Sequence, residues 1–472
     1  MAPSSRAPLA AVLGSFFHTP VYGTFEFLEQ ALIEVDGAGV IERVTLPADP
    51  SYEARLRAAR ETGETAPGSF LELGPDERAL PGFVDLHVHA PQWPQAGVAL
   101  DEPLDVWLDQ RTFPLEARFQ DPEFAYGVGA ELSRHLLARG TTTCLYFGSA
   151  HLEGSFAVAR ACADAGQRAI VGKVVMDDPA ANHDYYRDAS PEQAVADTEE
   201  LLLRAERLCA ERTAADPRFP GVFAAVTPRF IPSCTDAALA GLGEVAAAHD
   251  AYVQSHCNEG QWEHDYALER FGMTDAAALA HFGLLRHKSV MAHCTFMDAA
   301  DIELFHATGT AVAHCPISNA YFANSACPVR RMHEAGVEIG LGADVSGGFS
   351  PNLYDNIRQA VMASRVLEDG VDARMPQTRR GAGEPSRISA PEALYLATKG
   401  GAAALELPVG SFEVGRALDM QVIDTRRPYA DLTGMGLFPS PEDQLARILY
   451  LAAPENIRQV WCQGALVIDR RG

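Results

Sequence analysis

No two of the nine cysteines stand in a C-x-x-C spacing, and their count is odd. That speaks against a disulfide framework and fits reduced thiols in the cytoplasm. No apolar run approaches the ~20 residues that a membrane-spanning helix needs. Basic residues are scarce, with 38 Lys and Arg against 63 Asp and Glu and a net charge of -25. Such an acidic surface repels nucleic acid and anionic membranes and disfavours a strongly anionic substrate, while leaving the fold open. Internal repeats and low-complexity tracts are missing too. The apolar stretch from Pro8 to Phe17 is short, follows a single arginine and leads to no convincing cleavage site, so it reads as an ordinary N-terminal segment and not as a signal peptide.

What is present is length and rhythm. At 472 residues, 47% of them hydrophobic, the chain exceeds a domain of roughly 100–200 residues and suggests one large barrel with something smaller attached. Strand-like runs occur at Phe83–His89, Thr141–Phe147, Arg168–Met176, Val222–Arg229, Tyr252–Glu259, Ser289–Cys294, Thr310–Ile317 and Val337–Asp344. Amphipathic helical stretches such as Ala125–Ala138, Pro191–Arg212 and Ala237–His249 fill most gaps between them. Eight strand–helix units predict a (β/α)₈ TIM barrel over residues 81–401. Short strands at Phe25–Val35, Val40–Leu46 and Phe70–Leu73, and again at Asp419–Ile423, Ile457–Gln463 and Ala465–Ile468, predict that residues 1–80 and 402–472 pair into one small β-sandwich-like domain.

Catalytic groups of such barrels come from the C-terminal ends of the strands. The first predicted strand ends in His87-Val88-His89, the fifth carries His256 with Glu259 three residues on, the sixth ends in His293 and the eighth in Asp344. Side chains two apart on a strand face the same way, so His87 and His89 can chelate one ion while Val88 turns to the helices. An H-x-H alone fits a hydrogen-bonded core pair equally well; joined by His256, His293 and Asp344 on other strands it reads as a metal site. Nitrogen and carboxylate donors without thiolate suit zinc or iron(II) in an open catalytic centre. Cys257, Cys294 and Cys315 each follow a histidine and are expected to face outward as packing residues. His314 reads as structural. Lys173 lies on the third strand and not the fourth, where a lysine bridging two metals would stand, so a single metal is expected.

These stretches resemble the amidohydrolase superfamily and, within it, the guanine deaminase family. The resemblance is carried by Pro81-Gly82-Phe83-Val84-Asp85-Leu86-His87-Val88-His89 with Gln92, by Thr112-Phe113-Pro114, by Val226-Thr227-Pro228-Arg229-Phe230, by His256 with Glu259, by Ala292-His293, by His314-Cys315-Pro316 with Ser318-Asn319, and by Gly340-Leu341-Gly342 with Asp344. It implies one zinc held by His87, His89, His256 and Asp344, with His293 beside the reacting water. It further implies that Gln92 and Arg229 hold the carbonyl and ring-nitrogen edge of a purine, with Phe230 and Trp93 as further substrate contacts, and that the chain is a homodimer. The chain departs from the family pattern at Cys294, where glycine is more frequent, at Cys257-Asn258 and in the loop from Ala320 to Arg330; these bear on substrate preference more than on reaction type.

The expected reaction is hydrolytic removal of an exocyclic amine, guanine to xanthine, with Asp344 accepting a proton from water, His293 orienting that water and Glu259 relaying a proton to the ring. The same centre could serve a pterin, 8-oxoguanine or a triazine, and a non-catalytic scaffold is the reading from another class. The H-x-E with P-C-x-x-C pattern of the other zinc deaminase fold is absent.

Overall fold

In the computed structural model, residues 7–470 are described; residues 1–6 and 471–472, the extreme ends of the expected small domain, lie outside them. Eight parallel strands, Phe83–His89, Thr141–Phe147, Arg168–Val175, Val222–Pro228, Tyr252–Cys257, Ser289–His293, Ala311–His314 and Ile339–Leu341, pair in sequence order. The last meets the first through backbone bonds just beyond its end: Asp344 N–H donates to the His87 carbonyl at 2.8 Å and His89 N–H to the Val345 carbonyl at 3.0 Å. The buried Asp85 carboxylate staples the same seam by accepting Ala343 N–H at 2.9 Å. Gly340 and Gly342 stand here because nothing larger fits: a Cβ on Gly342 would lie 2.7 Å from His87 Cβ, and one on Gly340 2.5 Å from a Leu86 methyl.

Val84, Leu86, Leu145, Ile170, Ala225, Val290 and Ala313 fill the barrel, and Ala402, Ala404 and Leu405 close its floor. The helices pack outside, among them Pro122–Leu137, Pro191–Ala215, Asp236–His249 and Leu353–Asp369. No helix among the described residues is long and apolar enough to cross a membrane.

Strands from both chain ends form a second sheet of eight. The segment from Pro8 to Phe17 is not an incidental lead-in: Ala11–Val21 is a strand within this sheet and is buried over most of its length. Its near-continuous apolar run reflects cover on both faces, with Val12 and Phe16 in one cluster and Ala11 and Leu13 in another, so no alternation marks it as a strand. A strand that the sequence pattern hides, Glu77–Pro81, joins the ends by pairing with Met420–Asp424 and touching Phe16 through Ala79.

Candidate active site

The first strand must turn two histidines inward although Val84 and Leu86 already face the interior, which by simple alternation would send His87 out. A register shift between Asp85 and Val88 resets the alternation, so Val88 joins the outer layer and His87 and His89 point in. On the sixth strand Val290 and Ala292 face inward, and His293 escapes the same parity through a left-handed backbone, φ +74°. Asp344 (φ +48°) and Asn258 (φ +51°) share that conformation, which costs non-glycine residues energy and clusters at working sites.

The result is a knot of donors at the C-terminal mouth. His89 Nε2 lies 3.1 Å from His256 Nε2, and Asp344 Oδ1 lies 3.2 Å from His87 Nε2 and 3.5 Å from His89 Nε2. Ring nitrogens of His87, His89 and His256 all fall within 4.8 Å of one another. The buried Nε2 atoms of His87 and His293 have no aligned hydrogen-bond partner among the described residues. Burial, then the charge of neighbouring rings, holds His89 and His256 well below the ordinary imidazole pKa, so their lone pairs are free. Burial would raise Asp344, but the rings of His87, His293 and His256 outweigh it and hold the carboxyl at about 2. Neutral imidazoles beside an ionised carboxylate, with orphaned nitrogens aimed at one point, fit a divalent cation.

The surrounding groups fix ring orientation. His256 Nδ1 donates to the Arg229 carbonyl at 2.6 Å, and His293 Nδ1 to Asn319 Oδ1 at 2.9 Å, which leaves each Nε2 facing the centre. His314, buried and held down at about 3 chiefly by burial and then by His293, stays neutral. Lys173 is consumed by a buried ion pair with Asp188 on the outside of the third strand.

On one side of the centre lies a buried polar network around Glu116, which sequence reasoning missed. Glu116 Oε1 accepts from Gln92 Nε2 at 2.9 Å and from Arg229 Nη2 at 3.3 Å, while Oε2 accepts from Arg229 Nη1 at 2.6 Å and from Tyr186 Oη at 2.7 Å. Gln92 Oε1 accepts Ser346 N–H at 3.1 Å. Burial would weaken the Arg229 charge, but Glu116 more than offsets it. The one available signal was position, since Glu116 follows Thr112-Phe113-Pro114 by two residues; nothing in its surroundings in the sequence marks it as buried. Phe113 lies under the guanidinium, 5.1 Å from ring centre to Cζ. Phe230 stands 6.4 Å from the His256 ring and 6.0 Å from Trp262. Trp93 is not brought to this group: its ring packs on His135, 4.9 Å away, on the helix Pro122–Leu137.

On the other side, Glu259 Oε2 lies 3.8 Å from His293 Nε2 with 20% of its side chain exposed. Burial raises its carboxyl above the ordinary range, partly offset by His293. Cys257 and Cys294 pack in the outer layer as expected, but Cys315 does not. It shares the inward parity of Ala311 and Ala313, lies in the barrel core, and its sulfur comes within 4.8 Å of nitrogens of His87 and His293. Burial raises its thiol well above the ordinary range, so it packs beneath the centre as a neutral group.

A sequence profile of the amidohydrolase family matches residues 78–467. Guanine deaminase of Mus musculus is 34% identical over 483 residues, covering 99% of each chain. Guanine deaminase of C. acetobutylicum, solved with guanine in its active site, superposes with a TM-score of 0.82 at 26% identity over 97% of this chain and 100% of that one. An adenosine deaminase of Xanthomonas campestris with bound zinc superposes at 0.77 and 26% identity over 99% of this chain and 94% of that one.

Proposed function

The chain belongs to the amidohydrolase family and, within it, to the guanine deaminases, and on that premise we propose that it is a zinc-dependent hydrolase converting guanine and water to xanthine and ammonia. The observation that carries the reading is the meeting of the His87, His89, His256 and Asp344 donors with a buried, charge-neutralised Arg229–Gln92 pair at one barrel mouth. His87, His89, His256 and Asp344 would hold one zinc, an identity supported by the zinc of the Xanthomonas campestris relative. When bound, such an ion supplies Lewis acidity that brings the pKa of water to about 7.

The chain's own groups do the rest. Arg229 and the free N–H of Gln92 receive the purine carbonyl and ring-nitrogen edge, with their orientation set by Glu116. Phe230 lies against the ring face. Asp344, kept ionised, takes a proton from the attacking water. His293, its Nδ1 tied to Asn319, presents Nε2–side contacts to that oxygen. Glu259, with its raised pKa, delivers a proton to the ring nitrogen beside the attacked carbon. The proton taken by Asp344 then goes to the amine and the proton left on the added hydroxyl returns to Glu259, so that ammonia departs, the carbonyl of xanthine remains and both carboxyl groups regain their starting states.

The proposal extends to a cytoplasmic homodimer, with residues 81–401 as the barrel and 1–80 with 402–472 as the small domain. Free thiols at all nine cysteines support the compartment. Exposed apolar side chains at Tyr429, Met435, Leu437 and Phe438 support a covered face. The test is turnover by purified, zinc-loaded protein of guanine beside a pterin, 8-oxoguanine and a triazine. Guanine loss matched by ammonia and abolished by chelation supports the reading; metal-loaded protein that spares guanine and consumes another of the panel overturns it.

A further inference from the structure

We propose that Glu263 and Asp275 share one proton and, as a pair of carboxyl groups carrying a single negative charge, clamp the turn that presents Glu259. Glu263 lies in the helix Gln261–Phe271 and Asp275 opens the helix Asp275–His281; both are buried. Each spends one oxygen on successive backbone groups of the turn: Glu263 Oε2 accepts Glu259 N–H at 2.7 Å and Asp275 Oδ2 accepts Asn258 N–H at 2.8 Å. The other two oxygens, Glu263 Oε1 and Asp275 Oδ1, are buried and meet no donor among the described residues. The two side chains instead face each other within hydrogen-bonding reach.

No cation stands among the groups that act on this pair most strongly. Glu263 feels Asp275 and Glu259, and Asp275 feels Asp301 and the Cys257 thiol. His264 is turned to Asn258 Oδ1 at 3.3 Å, and Asp301 is occupied by Thr274 Oγ1 at 2.5 Å. Two adjacent buried carboxylates without a counter-charge cannot both stay ionised, and a proton placed between their orphaned oxygens satisfies both at once. Burial is the leading effect on each, raising Asp275 to about 7 and Glu263 well above its ordinary range.

The clamp has something to hold. Asn258 sits at φ +51°, and its carbonyl accepts from Thr295 N–H at 3.0 Å and Thr295 Oγ1 at 3.1 Å, so the turn is fixed from both sides. Glu263 and Asp275 are therefore positioning residues. The inference rests on the proposed function only for what Glu259 does; the shared proton can be read without turnover.

The experiment compares the metal-loaded wild type with Glu263→Gln, Asp275→Asn and Glu263→Ala. At neutral pH the infrared spectrum of the wild type should contain a protonated carboxylic acid carbonyl band that survives Glu259→Gln and disappears in both Glu263→Gln and Asp275→Asn. A native pKa raised above its unfolded value gives stability that is full below about pH 4.3 and lost as pH rises through the native pKa. Glu263→Gln carries a permanent donor and escapes that loss, so its Tm should gain on the wild type as pH rises from about 4.3 through the raised native pKa and level off above it. Glu263→Ala should lower kcat about tenfold at little change in KM, a fraction of the about 10²–10⁴ that a positioned proton carrier contributes, and Glu263→Gln should recover most of it. A wild type without the band, a band that both amide variants leave in place, or a Tm difference flat across pH would overturn the proposal. If Glu263→Gln does not fold, Asp275→Asn carries the same band and Tm tests. Loss of guanine activity in the wild type itself would count against the proposed function and leave the infrared and Tm results to decide this one.

Discussion

Glu116 lies buried with four hydrogen bonds on its two oxygens, two of them from the Arg229 guanidinium, whereas Glu263 and Asp275 lie buried with two backbone N–H groups between them and no cation among the groups that act on them most strongly. The first has a charge partner, Arg229, that shares its burial. The second pair must lower its own charge, and a proton is the means left to it. One arrangement presents pre-oriented N–H donors to a carbonyl; the other fixes a strained turn and keeps further negative charge away from Glu259. Burial alone therefore says little about the state of an acid: the donors on each oxygen decide it.

Substitutions can break that contrast, and the largest effect should come from the group between the two sides. Asp344→Asn removes the ionised proton acceptor and should cut kcat by the upper end of the about 10²–10⁴-fold range for such a group, with weaker metal retention measured by elemental analysis. Next comes Glu116→Gln, which leaves Arg229 buried without a counter-charge. It should cost roughly 3–5 kcal/mol of stability, the usual penalty for stranding one partner of a buried ion pair, and raise KM for guanine. Denaturant unfolding and steady-state kinetics measure both, and the same change at 263 should do neither. Asn319→Ala frees the His293 ring to flip or change tautomer; by analogy with the partners of metal-bound histidines, activity should fall on the order of 10–100-fold with the fold intact by circular dichroism. Smallest of all, Trp93→Phe should leave KM within about twofold and cost about 1 kcal/mol, since its ring packs on His135.

The barrel was legible because strand runs and amphipathic helices repeat with clear periods, and all eight strands fall where the pattern puts them, with ends trimmed by a few residues. The terminal sheet was legible except where burial on both faces erased alternation, in Ala11–Val21, and where a short charged run hid a strand, in Glu77–Pro81. Among the candidate site residues, the structure gathers His87, His89, His256, His293, Asp344 and Glu259, and places Gln92, Arg229 and Phe230 around them. Parity rules alone would have misplaced two of these. His87 needs a register shift and His293 a left-handed backbone, and neither leaves a mark in residue type. The same limit explains Cys315, whose inward direction follows from its strand partners and not from the histidine before it. Glu116 was invisible because a buried acid reads like any exposed one until its donors, which come from distant segments, are in place.

The most direct measurement is guanine turnover by Glu259→Gln with zinc content and guanine binding determined on the same sample. The account predicts one metal per chain, guanine bound close to wild-type affinity, and ammonia release reduced about 10²–10⁴-fold. Ammonia release at the wild-type rate from metal-loaded Glu259→Gln would contradict it, because the proton reaching the ring would then have to come from another group.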